Sequence, residues 1–181
     1  MSESSKSKNV AAVVVGVDGS AGAAEALRWA VAEARLRKAR LRIVHAWTYG
    51  YVGMPNGGFD YMGLGSYASL GIDLGDLQRA AEDLLEKAIG AVAGGVDGVE
   101  IERQVLQGTA AGVLVGAVVA GDLLVVGSRG HGDFVGLLLG SVSQQCVHYA
   151  PCPVVVVHSP KATSTDHGLA RAAATESAIA V

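Results

Sequence analysis

The sequence predicts an α/β fold, a doubly wound five-stranded parallel sheet with helices on both faces, making a three-layer sandwich. Three observations carry this. Short β-branched runs alternate with helical patterns along most of the 181 residues. The first, fourth and fifth runs are almost uniformly apolar, as strands covered on both faces are. Right-handed crossovers between successive parallel strands then put helices on both sides of the sheet.

Taken in order, residues 1–9 are polar, aperiodic and rich in Ser and Lys, and read as a tail. The apolar run that follows them, with Lys6 and Lys8 ahead of it, mimics a secretory signal. It stops at Asp18 after too few residues, so 11–17 (AAVVVGV) is assigned as the first strand. Ala24, Leu27, Val31 and Ala34 share one face of a helix over 21–38 with Ser20 as N-cap. The second strand is 41–46 (LRIVHA).

Residues 47–75 break the alternation with a long Gly- and Tyr-rich insertion that has no period of its own, and read as a flexible connection. A second helix, 76–90, carries Leu77, Ala81, Leu84 and Ala88 on one face, with Gly90 near its stop. The third strand is 99–106 (VEIERQVL) and the third helix 109–120 (TAAGVLVGAVVA), which has no charge at all. The fourth strand is 122–126 (DLLVV), the fourth helix 141–149, stopped ahead of Pro151, and the last strand 154–158 (VVVVH). One domain over 10–160 follows, with a second tail over 161–181.

Composition narrows the function. Half the residues are apolar and the formal net charge is −3. That gives no electrostatic footprint for nucleic acid or an anionic membrane. The longest uncharged apolar run, 110–121, falls short of the roughly 20 residues that cross a bilayer. Cys146 and Cys152 have no zinc-ligand spacing around them and read as small core residues. His45 and His148 lie in apolar runs and read as satisfied core or half-buried histidines. A cytoplasmic protein with small-molecule or protein partners is expected.

Sheets of this kind take ligands outside the carboxyl ends of their strands where strand order reverses, which singles out Asp18 and Gly127 at the tips of the first and fourth strands. The stretch 125–145, VVGSRGHGDFVGLLLGSVSQQ, leaves that fourth strand through a run of glycines and opens a helix at Ser141. Gly127 lets the chain leave the strand without a Cβ over the crevice; Gly130 and Gly132 allow positive φ and close backbone approach. Gly140 and Ser141 open a helix whose first N–H groups favour an anion. Arg129, His131 and the Ser141 and Ser143 hydroxyls are candidate donors to phosphate oxygens. No lysine lies in this stretch, so a Walker A loop is excluded and efficient phosphoryl transfer lacks its usual charge stabilisation. At most slow ATP hydrolysis is expected.

The spacing Gly127-x2-Gly130-x9-Gly140-Ser141, with VVVGVDGS near the start and APCPVVVV near the end, resembles the nucleotide-binding branch of the universal stress protein family. The resemblance covers roughly residues 10–158. It implies a Rossmann-like, adenine nucleotide alpha hydrolase-like sandwich that binds ATP, with cyclic AMP as a related alternative and Mg2+ or Mn2+ accompanying the nucleotide. It also implies that Asp18 faces the ribose, that the backbone over 44–46, ending at Ala46, meets the adenine edge, and that Gly127 lies by the ribose. By the same correspondence Gly130, His131, Gly140, Ser141, Val142 and Ser143 cradle phosphate, while Gly16 and Val17 line the pocket.

In the family the last strand pairs with its twin, which implies a homodimer through Val154–Val157. The implied role is a nucleotide-dependent regulator in stress response; a slow ATPase and a nucleotide-independent interaction module are the alternatives. The uncharged third helix, the insertion and the tail beyond Lys161 depart from the family pattern. They leave room for a further protein partner or for the tail to cover that helix.

Overall fold

In the computed structural model, residues 12–48, 51–53, 59–61, 74–92, 95–96, 98–130 and 139–159 are described. Both predicted tails and most of the 47–75 insertion lie outside them. The elements run β1 (Val13–Gly16), α1 (Ala21–Arg37), β2 (Leu41–Trp47), β3 (Tyr51–Gly53), β4 (Phe59–Tyr61), α2 (Leu74–Gly90), β5 (Ile101–Gln107), α3 (Ala110–Gly116), β6 (Leu123–Gly127), α4 (Ser141–Tyr149) and β7 (Val154–Val157). Five strands form one sheet in the order β5-β2-β1-β6-β7, and every neighbouring pair is parallel. The doubly wound α/β sheet is therefore as predicted.

Period-two alternation sends successive strand residues to opposite faces, and both faces are buried. Val13, Val15, Leu41, Ile43, Leu123 and Val125 meet Ala26, Leu27, Ala30 and Val31 of α1 and Leu85 and Ile89 of α2. On the other face Val14, Val44, Leu124 and Val126 meet Leu114 and Val118 on the α3 side and Cys146 of α4. Near-continuous apolar runs in β1 and β6 follow from this two-sided burial.

Ser20 caps α1, its Oγ accepting from the Ala23 N–H at 3.2 Å. The buried stripe of α1 is wider than the four residues expected and includes Gly22, Ala23, Ala26 and Ala30, whereas Ala24 is only half-buried. In α2 the stripe is centred on Ala81, Leu85 and Ile89, with Leu84 and Ala88 at its margin.

The third helix stops at Gly116 instead of running on to Ala120. Polar groups end it: the Arg42 guanidinium donates to the Ala117 carbonyl at 2.7 Å. The Asp122 carboxylate accepts from the N–H groups of Val119 and Ala12, both at 3.0 Å. The insertion is not wholly irregular either, because β3 and β4 pair antiparallel as a separate ribbon.

The two edges of the sheet differ in chemistry. Along β5, Glu102 binds Arg42 and Arg103 binds Glu86, while Arg40 pairs with Glu100 just outside the strand. Burial pushes the Glu102 carboxyl up, but hydrogen bonds from Arg42 and Gln104 and the charges of Arg42 and Arg40 outweigh it, holding the carboxyl below its ordinary range. By contrast β7 is four half-buried valines. The Leu124 N–H donates to Pro153 and the Ser128 N–H to Val157. Residues 153, 155 and 157 therefore face β6, and Val154 and Val156 turn their N–H and C=O outward.

Candidate functional site

The carboxyl ends of β1 and β6 lie side by side at the centre of the sheet, where strand order reverses. Just beyond them is a cleft of about 230 Å³. Gly16, Val17 and Asp18 come from β1 and its tip, Val44 and Ala46 from β2, and Val126, Gly127, Arg129 and Gly130 from β6 and the chain leaving it. One wall is Ala110 and Leu114 of α3, another is Gly140 with the first turn of α4 from Ser141 to Ser143, and Ala23 of α1 closes a corner. Every described residue expected at the site lines this cleft except His45, the middle residue of 44–46, which is buried away from it. His131 and Gly132 lie outside the described residues.

Asp18 is held by a tight turn. Its Oδ1 accepts from the Ser20 N–H at 2.9 Å, and Gly19 between them has φ +84°, a left-handed conformation that suits glycine. A Cβ at Gly130 would stand 2.5 Å from Asp18 Oδ2. Gly130 is thus required for close approach to this carboxylate. The expected positive φ is not found there.

The other glycines divide unexpectedly. A Cβ at Gly127 would meet the backbone of Gly22 at 2.8 Å, and one at Gly22 would meet the Arg129 carbonyl at 2.5 Å. Gly127 therefore serves the packing of α1 onto the strand tip rather than only clearing the crevice. A Cβ at Gly16 would press on Leu114 Cδ1 at 2.8 Å, so that glycine lets α3 close over the cleft. Gly140 has room, its nearest prospective neighbour being 3.5 Å away; it serves as the N-cap of α4 with φ −76°.

Ser143 does not offer its proton to the cleft. Its hydroxyl, 2% exposed as a residue, donates among the carbonyls of Ser128 at 3.1 Å and Gly140 at 2.9 Å. The Gly140 N–H also donates to Ser128 at 2.7 Å. The chain leaving β6 and the chain entering α4 are thereby tied together. Ser141 remains exposed at the first turn of α4, where unpaired N–H groups and the helix dipole favour an anion.

Missed in the sequence were Ala23, Ala110, Leu114 and Val126, apolar residues whose only signal is helical or strand periodicity. Gly22 was missed as well; a glycine two residues past an N-cap is a readable sign of close helix packing. Among the described residues no group of His, Cys, Asp and Glu could hold a metal ion. Among the same residues no helix is long and apolar enough to cross a membrane.

Comparison with known proteins agrees with this architecture. A family model described as the universal stress protein family matches residues 10–158. A universal stress protein of Thermus aquaticus is 36% identical over 150 residues, covering 80% of this chain and 96% of that protein. One from Mycolicibacterium smegmatis is 31% identical over 158 residues, covering 87% of this chain and 51% of its own length. The chain thus spans about half the length of the mycobacterial relatives it matches. Among solved structures, UspA of Lactobacillus plantarum superposes with a TM-score of 0.62 at 21% identity, covering 82% of this chain and 98% of that one. That likeness speaks for the fold, and the sequence matches speak for descent: the chain belongs to the universal stress protein family.

Proposed function

We propose that the chain binds ATP in the cleft at the β1 and β6 tips and acts as a nucleotide-dependent regulator in stress response, without efficient catalysis. The observation that carries this is the convergence on one cleft of the Asp18 carboxylate, the close-approaching backbone at Gly130 and the first turn of α4. An ionised carboxylate is acceptor-only and suits paired ribose hydroxyls. The first N–H groups of α4, the Ser141 hydroxyl and the Arg129 guanidinium suit phosphate oxygens. Cyclic AMP offers the same base and a phosphate of lower charge, but only one free ribose hydroxyl to Asp18, and is the competing ligand. His131 and Gly132 keep their proposed place in the cradle.

Mg2+ or Mn2+ would enter with the triphosphate. Asp18 is the one carboxylate lining the cleft among the described residues, and that is too little to hold either ion by itself. Slow turnover at best is the reading that the sequence motivates, because 125–145 has no lysine to stabilise charge in phosphoryl transfer. Regulation then requires different nucleotide affinities in two states of the protein. We further propose a cytoplasmic homodimer formed through the outward-facing backbone of β7.

The test is to denature freshly purified protein, identify released nucleotides by mass spectrometry, and titrate ATP and cyclic AMP by calorimetry. Gly130→Val, which forces Asp18 aside, should abolish binding while leaving the fold intact. Undiminished ATP affinity in that variant would overturn the cradle. A protein that purifies empty and binds neither nucleotide would leave the interaction-module reading in its place.

A further inference from the structure

The β1–β2 ladder ends in an irregular way. The last rung is the Val17 N–H donating to the Val44 carbonyl at 2.9 Å. In a regular parallel ladder the next bond would run from the Ala46 N–H to the Val17 carbonyl. That carbonyl instead lies 2.8 Å from Nδ1 of His45. A carbonyl can only accept, so Nδ1 carries the proton and donates. His45 is 8% exposed, on the α1 and α2 side of the sheet, opposite the face on which Val44 packs.

The consequence falls on Ala46. Leu41 and Trp47 bond toward β5, through Glu100 and Gly108 respectively. Alternation therefore turns the N–H and C=O of Ala46 toward the β1 side, past the end of β1, where Ala46 lines the cleft. One strand residue there offers a donor and an acceptor side by side.

We propose that His45 is a positioning residue for base recognition: by taking the Val17 carbonyl it ends the ladder one rung early and leaves the Ala46 backbone to read an adenine edge. This rests on the nucleotide reading above and adds its base selectivity. The 6-amino group of adenine donates and its N1 accepts, matching the Ala46 C=O and N–H. Guanine reverses both, presenting an O6 acceptor and an N1–H donor, and so sets like against like. A base with the wrong pattern leaves buried backbone groups unpaired, which discriminates more strongly than a lost apolar contact.

The test uses His45→Phe, which fills the space without a donor, and His45→Gln, whose amide N–H can still reach a carbonyl. In nucleotide-free protein, the Phe variant should slow amide hydrogen exchange at Ala46 by about ten-fold, because the freed Val17 carbonyl now accepts from it. General loosening would speed exchange there, so the direction of change separates positioning from a merely structural role. In calorimetry the unaltered protein should prefer ATP to GTP, and the Phe variant should narrow that ratio by about ten-fold. The Gln variant should stay near the unaltered protein in both measurements.

Unchanged or faster Ala46 exchange in a folded Phe variant overturns the proposal, as does an unchanged ATP-to-GTP ratio. His45→Leu takes the place of Phe if the latter does not fold. An unaltered protein that binds neither nucleotide overturns the functional reading and the selectivity built on it, while the exchange experiment decides the ladder on its own.

Discussion

Replacing Gly22 with alanine should destabilise the protein, although alanine is the better helix former. Gly22 sits in the first turn of α1, and the added Cβ would stand 2.5 Å from the Arg129 carbonyl oxygen. Ordinary contacts between such atoms are about 3.5 Å, so the shortfall is roughly 1 Å. The carbonyl oxygen is main chain and the Cβ is fixed rigidly to its own backbone, so neither can swing aside as the end of a longer side chain would. Overpacking of this kind costs about 1–3 kcal/mol, and rigid partners put it near the top of that range. Helix propensity returns about 1 kcal/mol, leaving a net loss of about 2 kcal/mol.

A control is built into the chain. A Cβ at Gly116 in α3 meets nothing within 4 Å, so Gly116→Ala should gain about 0.5 kcal/mol. Urea denaturation of both variants reads the difference, with the Gly22 midpoint falling by roughly 1 M at unchanged slope. Gly127→Ala crowds the same α1–β6 junction from the strand side, so combining it with Gly22→Ala should lose less than the sum of the two. A Gly22→Ala midpoint equal to that of Gly116→Ala would refute the close-packing argument.

Other expectations follow from single contacts. Val156→Pro removes an outward N–H of β7 without touching the bonds to β6 and should convert a dimer to a monomer in light scattering; a dimeric mass would count against pairing through this edge. Asp122→Ala strands the Ala12 and Val119 N–H groups and should cost about 3 kcal/mol in urea titration; a loss below about 1 kcal/mol would mean water replaces the carboxylate. Burial, with a smaller contribution from Cys152, pushes the Cys146 thiol from 9.0 up to about 11. Iodoacetamide at pH 8 should therefore spare Cys146 in the folded protein and modify it once urea is added. Between pH 9 and 11 the unfolded chain has lost that proton and the folded one has kept it, so Cys146 makes stability fall as pH rises. A Cys146→Ala variant should flatten that part of the pH profile, and an identical slope would contradict the assignment.

Legibility in the sequence followed the chemistry. The signature glycines, Asp18 and Ser141 were readable because unusual residues at fixed spacing have few competing uses, and the boundaries of α4 were read to the residue. What each glycine does was not readable. Crowding at Gly22 and Gly127, and the room at Gly140, depend on how α1 settles against β6, which no local pattern encodes. The end of α3 was misplaced because the apolar period continues through Val118 and Val119, and the terminating groups, Arg42 and Asp122, lie in other elements. Runs of three residues such as β3 and β4 are too short to show alternation. Ser143 reads as one more phosphate donor until its hydroxyl is found between two carbonyls.

The unlike edges of the sheet bear on how far association can proceed. Two copies meeting along β7 would each use up their bare edge in the same act and merge into one ten-stranded sheet. What remains at either end is β5, whose Glu102 and Arg103 are already committed to partners within their own chain. A third copy finds no apolar backbone to extend. Under the proposed pairing growth would stop at two, and a strand of four valines that could seed a fibre would become a self-terminating junction.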